Sequence, residues 1–68
     1  MSDVITETKD GVTEIRLDRP KKKNAVTNAM YRAMNEALAA ASADADVGAV
    51  VFSGSGEAFC AGNDVVDF

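Results

Sequence analysis

Hydrophobic and polar residues along this chain change period three times. Val4–Thr8 reads V-I-T-E-T, short and β-prone, and Val12–Leu17 reads V-T-E-I-R-L. In the second run Thr13, Ile15 and Leu17 share one face, while Val12, Glu14 and Arg16 share the other. That period of two marks a half-buried strand. Lys9-Asp10-Gly11 separates the runs, and Asp-Gly suits a two-residue turn whose central positions both need positive φ. Residues 3–18 are therefore expected to form a β-hairpin.

Arg19-Pro20 stops the second strand, because proline has no N–H for a ladder. A polar loop over 20–26 follows. Thr27 is expected to cap a helix with its hydroxyl. Met30, Met34, Ala37, Leu38 and Ala41 then form one apolar stripe, with Arg32, Asn35 and Glu36 off it. Seven alanines between Ala29 and Ala43 favour the helix further. The methionines suit core packing, with an adaptable binding groove as the alternative. Fraying is expected around Ser42–Asp46.

Gly48–Phe52, G-A-V-V-F, does not alternate. A continuous apolar run bounded by glycine suits a strand buried on both faces of a parallel sheet. Ser53-Gly54-Ser55-Gly56 reads as the loop beyond it, and Asp64 onward as the opening of a helix or turn. This order predicts an α/β fold. A strand covered on both faces needs more than one helix, so the chain is expected to be a fragment or an assembly-dependent piece.

Composition narrows the function. The chain has 68 residues, 47% hydrophobic and 26% charged, which is the make-up of a folded protein and allows one small domain. A domain of about 60 residues buries only roughly 60% of its unfolded surface, so its stability is marginal. Cys60 is the single cysteine and histidine is absent. An internal disulfide, a His/Cys zinc site and a His-dependent catalytic triad are excluded. Cys60 reads as a small buried apolar side chain.

Net charge is −4, which argues against general nucleic-acid binding. Arg19, Lys21, Lys22 and Lys23 nonetheless place four positive charges within five residues. They read either as a solvated loop or as an electrostatic seat for phosphate groups. No run approaches the ~20 apolar residues of a membrane span, and the N-terminus lacks the basic and apolar regions of a secretory signal. A lone cysteine fits a reducing compartment. The expectation is a cytoplasmic protein without membrane or nucleic-acid partners.

Nucleotide motifs fail in detail. Gly54-Ser55-Gly56 begins like G-x-G-x-x-G, but the sixth position is Phe59. Gly62 is followed by Asn63 where a phosphate-binding loop needs lysine. Asp64 and Asp67 can share a helix face as an acid–base pair, or serve as helix caps. What remains is backbone chemistry at Phe59-Cys60-Ala61-Gly62-Asn63-Asp64. Gly62 permits positive φ and close ligand approach. Unpaired N–H groups at a following helix start would stabilise an oxygen gaining negative charge.

Asp18-Arg19-Pro20-Lys21-Lys22-Lys23-Asn24-Ala25-Val26, then a helix, then Ala49–Gly54 and Glu57–Asp64 resembles the opening of the enoyl-CoA hydratase/isomerase, or crotonase, superfamily. The pairing of Pro-Lys-x-x-Asn-Ala with Phe-x-Ala-Gly-x-Asp about forty residues later carries most of the likeness. The resemblance implies the N-terminal fragment of a crotonase-like ββα superhelix, residues 1–68 forming one partial domain whose C-terminal remainder is absent. It implies trimers or hexamers of the full-length form and an acyl-CoA thioester ligand, with coenzyme A entering as part of the substrate and no further cofactor or metal. The backbone N–H of Asn63 becomes the first oxyanion donor. Ala61, Gly62, Asn63 and Asp64 border the adenine and pantetheine, and the segment Lys21, Lys22, Lys23, Asn24, Ala25 lines the CoA.

Gly-Asn-Asp, in place of the Gly-Ala-Asp of many hydratases, is similar to the Δ3,Δ2-enoyl-CoA isomerase branch. The family's second oxyanion donor and its acid or base fall downstream of Phe68. Alternatives from other classes are a non-catalytic CoA-binding or subunit-docking module, and an unrelated small α/β interaction domain.

Overall fold

The computed structural model describes residues 3–57 and 59–62. Strands β1 (Val4–Lys9) and β2 (Val12–Leu17) pair antiparallel, with Val4 opposite Leu17 and Lys9 opposite Val12. Asp10 and Gly11 join them at φ 53° and 77°, the left-handed pair that the Asp-Gly dipeptide predicts. A single 3₁₀ turn (Pro20–Lys22) leads to α1 (Asn28–Ala43), and β3 (Ala49–Gly54) returns parallel to β2. The sheet order is β1-β2-β3.

The alternation in β2 decides where the core lies. Thr13, Ile15 and Leu17 are all buried, as their shared face requires. The Thr13 hydroxyl is satisfied by Thr8 Oγ1 across the ladder at 2.8 Å. Val4, Ile15, Leu17, Val26 and Met30 form the central cluster, and Ala33, Met34, Ala37 and Cys60 pack against it. The helical stripe thus turns inward at Met30 and Ala41, while Leu38, at its margin, remains exposed.

Thr27 caps α1 as expected. Its Oγ1 accepts from Met30 N–H at 3.2 Å, and its own N–H points to Met30 Sδ at 3.5 Å. Met30 therefore anchors the cap from inside the core. Thr27→Ala should lower unfolding stability by about 1 kcal/mol, the usual value of such a cap, read as a shift of the urea midpoint without a change in slope.

Two expectations are corrected. The strand at 48–52 begins at Ala49 and continues through Ser53 and Gly54, which the sequence reads as loop. These residues pair with Arg16 and Leu17, and the partner strand extends the ladder past the point where Ser-Gly reads as a turn. Nor is β3 buried on both faces. Val50 and Phe52 lie on the face of Ile15, and Val51 lies opposite with Glu14; they are 37%, 41% and 48% exposed. The physical reason is placement: α1 packs on β1 and β2, leaving β3 at the edge of the sheet.

The start of β3 is fixed by the hairpin. The carbonyl of Gly11 accepts from Gly48 N–H at 2.7 Å and from Ala49 N–H at 3.3 Å.

Candidate functional site

The β2–α1 loop is closed by a reciprocal pair. Asn24 N–H donates to Arg19 O at 2.9 Å, and Arg19 N–H donates to Asn24 Oδ1 at 2.7 Å. Between these ends the chain makes the 3₁₀ turn and then two left-handed residues, Lys23 at φ 51° and Asn24 at φ 58°. The loop presents Lys21, Lys22 and Lys23 outward, all exposed. Ala25 is half-buried beneath them, and Val26 drops into the core.

Arg19 behaves differently from the lysines. Its Nη1 donates to Ala25 O at 2.9 Å, and its Nε lies 4.0 Å from Asp3 Oδ2. The guanidinium thus braces the loop as well as adding charge to it. Acids share the surface clefts that the basic run borders. Lys23 shares a surface cleft of about 380 Å³ with Glu57, Pro20 and Gly56. Lys21 borders another of about 370 Å³ with Asp3 and Asp18. Two of these acids, Asp3 and Glu57, lie far from the lysines in sequence.

The glycine turn lies against this loop. Val26 N–H donates to Gly62 O at 2.8 Å, joining the end of the basic loop to the end of the described turn. Cys60, expected to be buried, is only half-buried, packing against the core cluster while its Sγ accepts from Gly62 N–H at 3.4 Å. Gly62 has φ 100°, and among the described residues no atom lies within 4 Å of where its Cβ would stand. The left-handed backbone that the sequence assigns to it is present. Ala61 is exposed beside it. Asn63 and Asp64, with the helix start expected after them, lie outside the described residues.

The structure thus brings Ala25, Ala61 and Gly62 together and carries the three lysines on the same loop. One member of the segment that the resemblance makes CoA-lining, Asn24, does not reach the surface, and its actual role is the one that sequence reasoning missed. It is fully buried, and its Nδ2 donates to Ser55 O at 2.8 Å, 31 residues away. An asparagine within a basic loop, where left-handed backbone is tolerated, was the available signal.

Among the described residues no helix is long and apolar enough to cross a membrane.

Known proteins share this arrangement. An enoyl-CoA hydratase/carnithine racemase structure from Magnetospirillum magneticum AMB-1 superposes with TM-score 0.95 at 45% identity, covering 100% of this chain and 27% of its own. The enoyl-CoA hydratase structure from Mycobacterium tuberculosis H37Rv gives TM-score 0.92 at 33% identity, covering 97% and 30%. Among curated sequences, human enoyl-CoA delta isomerase 2 is 40% identical over 65 residues, which is 96% of this chain and 16% of that protein. Human mitochondrial Delta(3,5)-Delta(2,4)-dienoyl-CoA isomerase is 41% identical over 63 residues, covering 93% and 19%. The sequence pattern described as Enoyl-CoA hydratase/isomerase matches residues 7–68.

The hairpin, helix and parallel strand are thus the N-terminal part of a crotonase-type α/β fold. The chain belongs to the enoyl-CoA hydratase/isomerase family. It spans about a sixth to a fifth of the length of the two curated relatives.

Proposed function

We propose that this chain supplies the first part of an acyl-CoA-processing site. Lys21, Lys22, Lys23 and Ala25 seat the CoA moiety, Ala61, Gly62, Asn63 and Asp64 border it, and the backbone N–H of Asn63 donates to the thioester oxygen. The observation that carries this reading is the Val26–Gly62 hydrogen bond, which holds the basic loop against the glycine turn. Formation of a thioester enolate moves negative charge onto the carbonyl oxygen. A donor fixed beforehand stabilises that charge without reorganisation, an effect worth about 10²–10³ in rate for one such donor.

The second oxyanion donor and the group that moves the proton come from further protein. The reading leans to isomerisation over hydration, supported by Gly-Asn-Asp and by the names of the curated relatives. Trimeric or hexameric assembly of the full-length form and a cytoplasmic location complete the proposal.

Calorimetry with CoA tests the seat. Reversing Lys21, Lys22 and Lys23 together to glutamate should weaken binding at low ionic strength by about tenfold or more, and added salt should narrow the difference. Equal affinities for the two proteins at both salt concentrations would remove the lysines from the site.

A second reading is a non-catalytic module docking on family subunits, favoured by the exposure of β3 on both faces. On either reading the purified 68-residue chain should show no steady hydration or isomerisation of enoyl-CoA. Sustained turnover would contradict both.

A further inference from the structure

We propose that Asn24 is a positioning residue, which holds the basic loop and the Cys60–Gly62 turn in one arrangement so that both ends of the thioester seat are set together. This deepens the reading given above and rests on it. Asn24 is fully buried and so cannot touch a ligand itself. Its side chain works in two directions. Oδ1 accepts from Arg19 N–H at 2.7 Å, which fixes the loop that presents the lysines. Nδ2 donates to Ser55 O at 2.8 Å, which fixes the segment leaving β3. One partner is a donor and the other an acceptor, so the amide has a single orientation and only a side chain offering both groups satisfies it.

The third segment meets the same point. A Cβ added at Gly54 would stand 2.5 Å from Phe59 O and 2.9 Å from Asn24 Nδ2. The backbone that enters the glycine turn therefore rests on the contact between β3 and Asn24. Two residues beyond Asn24, Val26 N–H reaches Gly62 O at 2.8 Å. Arg19, Ser55 and, at the Gly54 contact, Phe59 thus meet around one buried amide, and the Val26–Gly62 bond ties the end of the turn to the same loop. A shift there moves the lysines and the turn relative to each other.

Asn24→Asp separates positioning from bulk stability. It keeps the acceptor for Arg19 N–H and places an oxygen against Ser55 O. Amide exchange of the purified protein should show the Val26 N–H accelerating at least tenfold more than the Ile15 N–H in the centre of β2. Gly11→Ala, at the far end of the hairpin, serves as a control for general loosening and should not single out Val26. Equal acceleration at Val26 and Ile15 in Asn24→Asp would overturn the proposal. Should that variant not fold, Asn24→Gly, which keeps the backbone conformation and removes both side-chain bonds, takes its place in the same comparison.

Binding supplies the second readout, at a temperature where the variant is fully folded. Affinity for CoA and for an acyl-pantetheine lacking the nucleotide should each fall about tenfold. Unchanged affinity for both would leave Asn24 structural only and would overturn the proposal. If the unsubstituted protein binds neither compound, the acyl-CoA reading fails and the exchange comparison alone judges the positioning role.

Discussion

Gly54→Ala should destabilise the protein by roughly 3 kcal/mol, although it adds one methyl group to a residue with no left-handed φ. Two effects oppose each other here. Alanine restricts the unfolded chain, which usually stabilises by about 0.4–1 kcal/mol where the native backbone accepts it. Against that, the new Cβ would lie 2.5 Å from Phe59 O, 2.8 Å from Phe59 Cα and 2.9 Å from Asn24 Nδ2. Two of these atoms are backbone and cannot rotate away, so overpacking wins. Thermal and urea unfolding measure the loss, and a stability within 0.5 kcal/mol of the parent, about the scatter of neutral surface changes, would contradict it. Gly62→Ala makes the useful contrast. Its Cβ meets no atom of the described residues, and the penalty expected from φ 100° is roughly 1–2 kcal/mol.

Asn24→Ala is expected to lose a comparable amount, roughly 3–4 kcal/mol. It removes the side-chain acceptor of Arg19 N–H and the donor to Ser55 O. A buried group deprived of its partner costs about 1–3 kcal/mol. It also places alanine at φ 58°, where an L-residue other than glycine, asparagine or aspartate is strained by about 1–2 kcal/mol. Asn24→Gly relieves only the second effect and should fall between the parent and Asn24→Ala. If glycine at 24 restored the parent's stability, backbone strain would account for the whole loss and the two hydrogen bonds for none.

Local signals in the sequence were readable wherever the cause was local. Asp10-Gly11 needs positive φ at both positions, and the structure provides it. Thr13, Ile15 and Leu17 share a face because a strand has period two, and that face is the core. Thr27 caps α1 because the donors it satisfies are three residues away. The misreadings are tertiary. Gly48–Phe52 reads as covered on both faces because an uninterrupted apolar run records what a strand is suited to, while its exposure depends on what packs beside it. Ser53-Gly54 belongs to β3 because Arg16 and Leu17 lie opposite.

The site follows the same division. Gly62 was readable as a left-handed turn, and the three lysines as an exposed cluster. Arg19 was readable only as a charge, since its bracing role depends on Ala25 O and Asp3. Asn24 was readable only as part of the CoA-lining segment, and its bracing role was hidden because its second partner, Ser55, is 31 residues away.

The forked acceptance at Gly11 O has a consequence for the order in which the chain assembles. The antiparallel ladder closes over the two residues Asp10 and Gly11, whereas Val12 and Ala49, the first parallel pair, are separated by 37 positions (49 − 12). Short loops close first because they lose less entropy. When β3 arrives, the carbonyl that receives its leading amides is already held by the finished turn. The turn is then a template as well as a connection: it selects one of several sliding alignments available to an apolar strand with few distinguishing side chains.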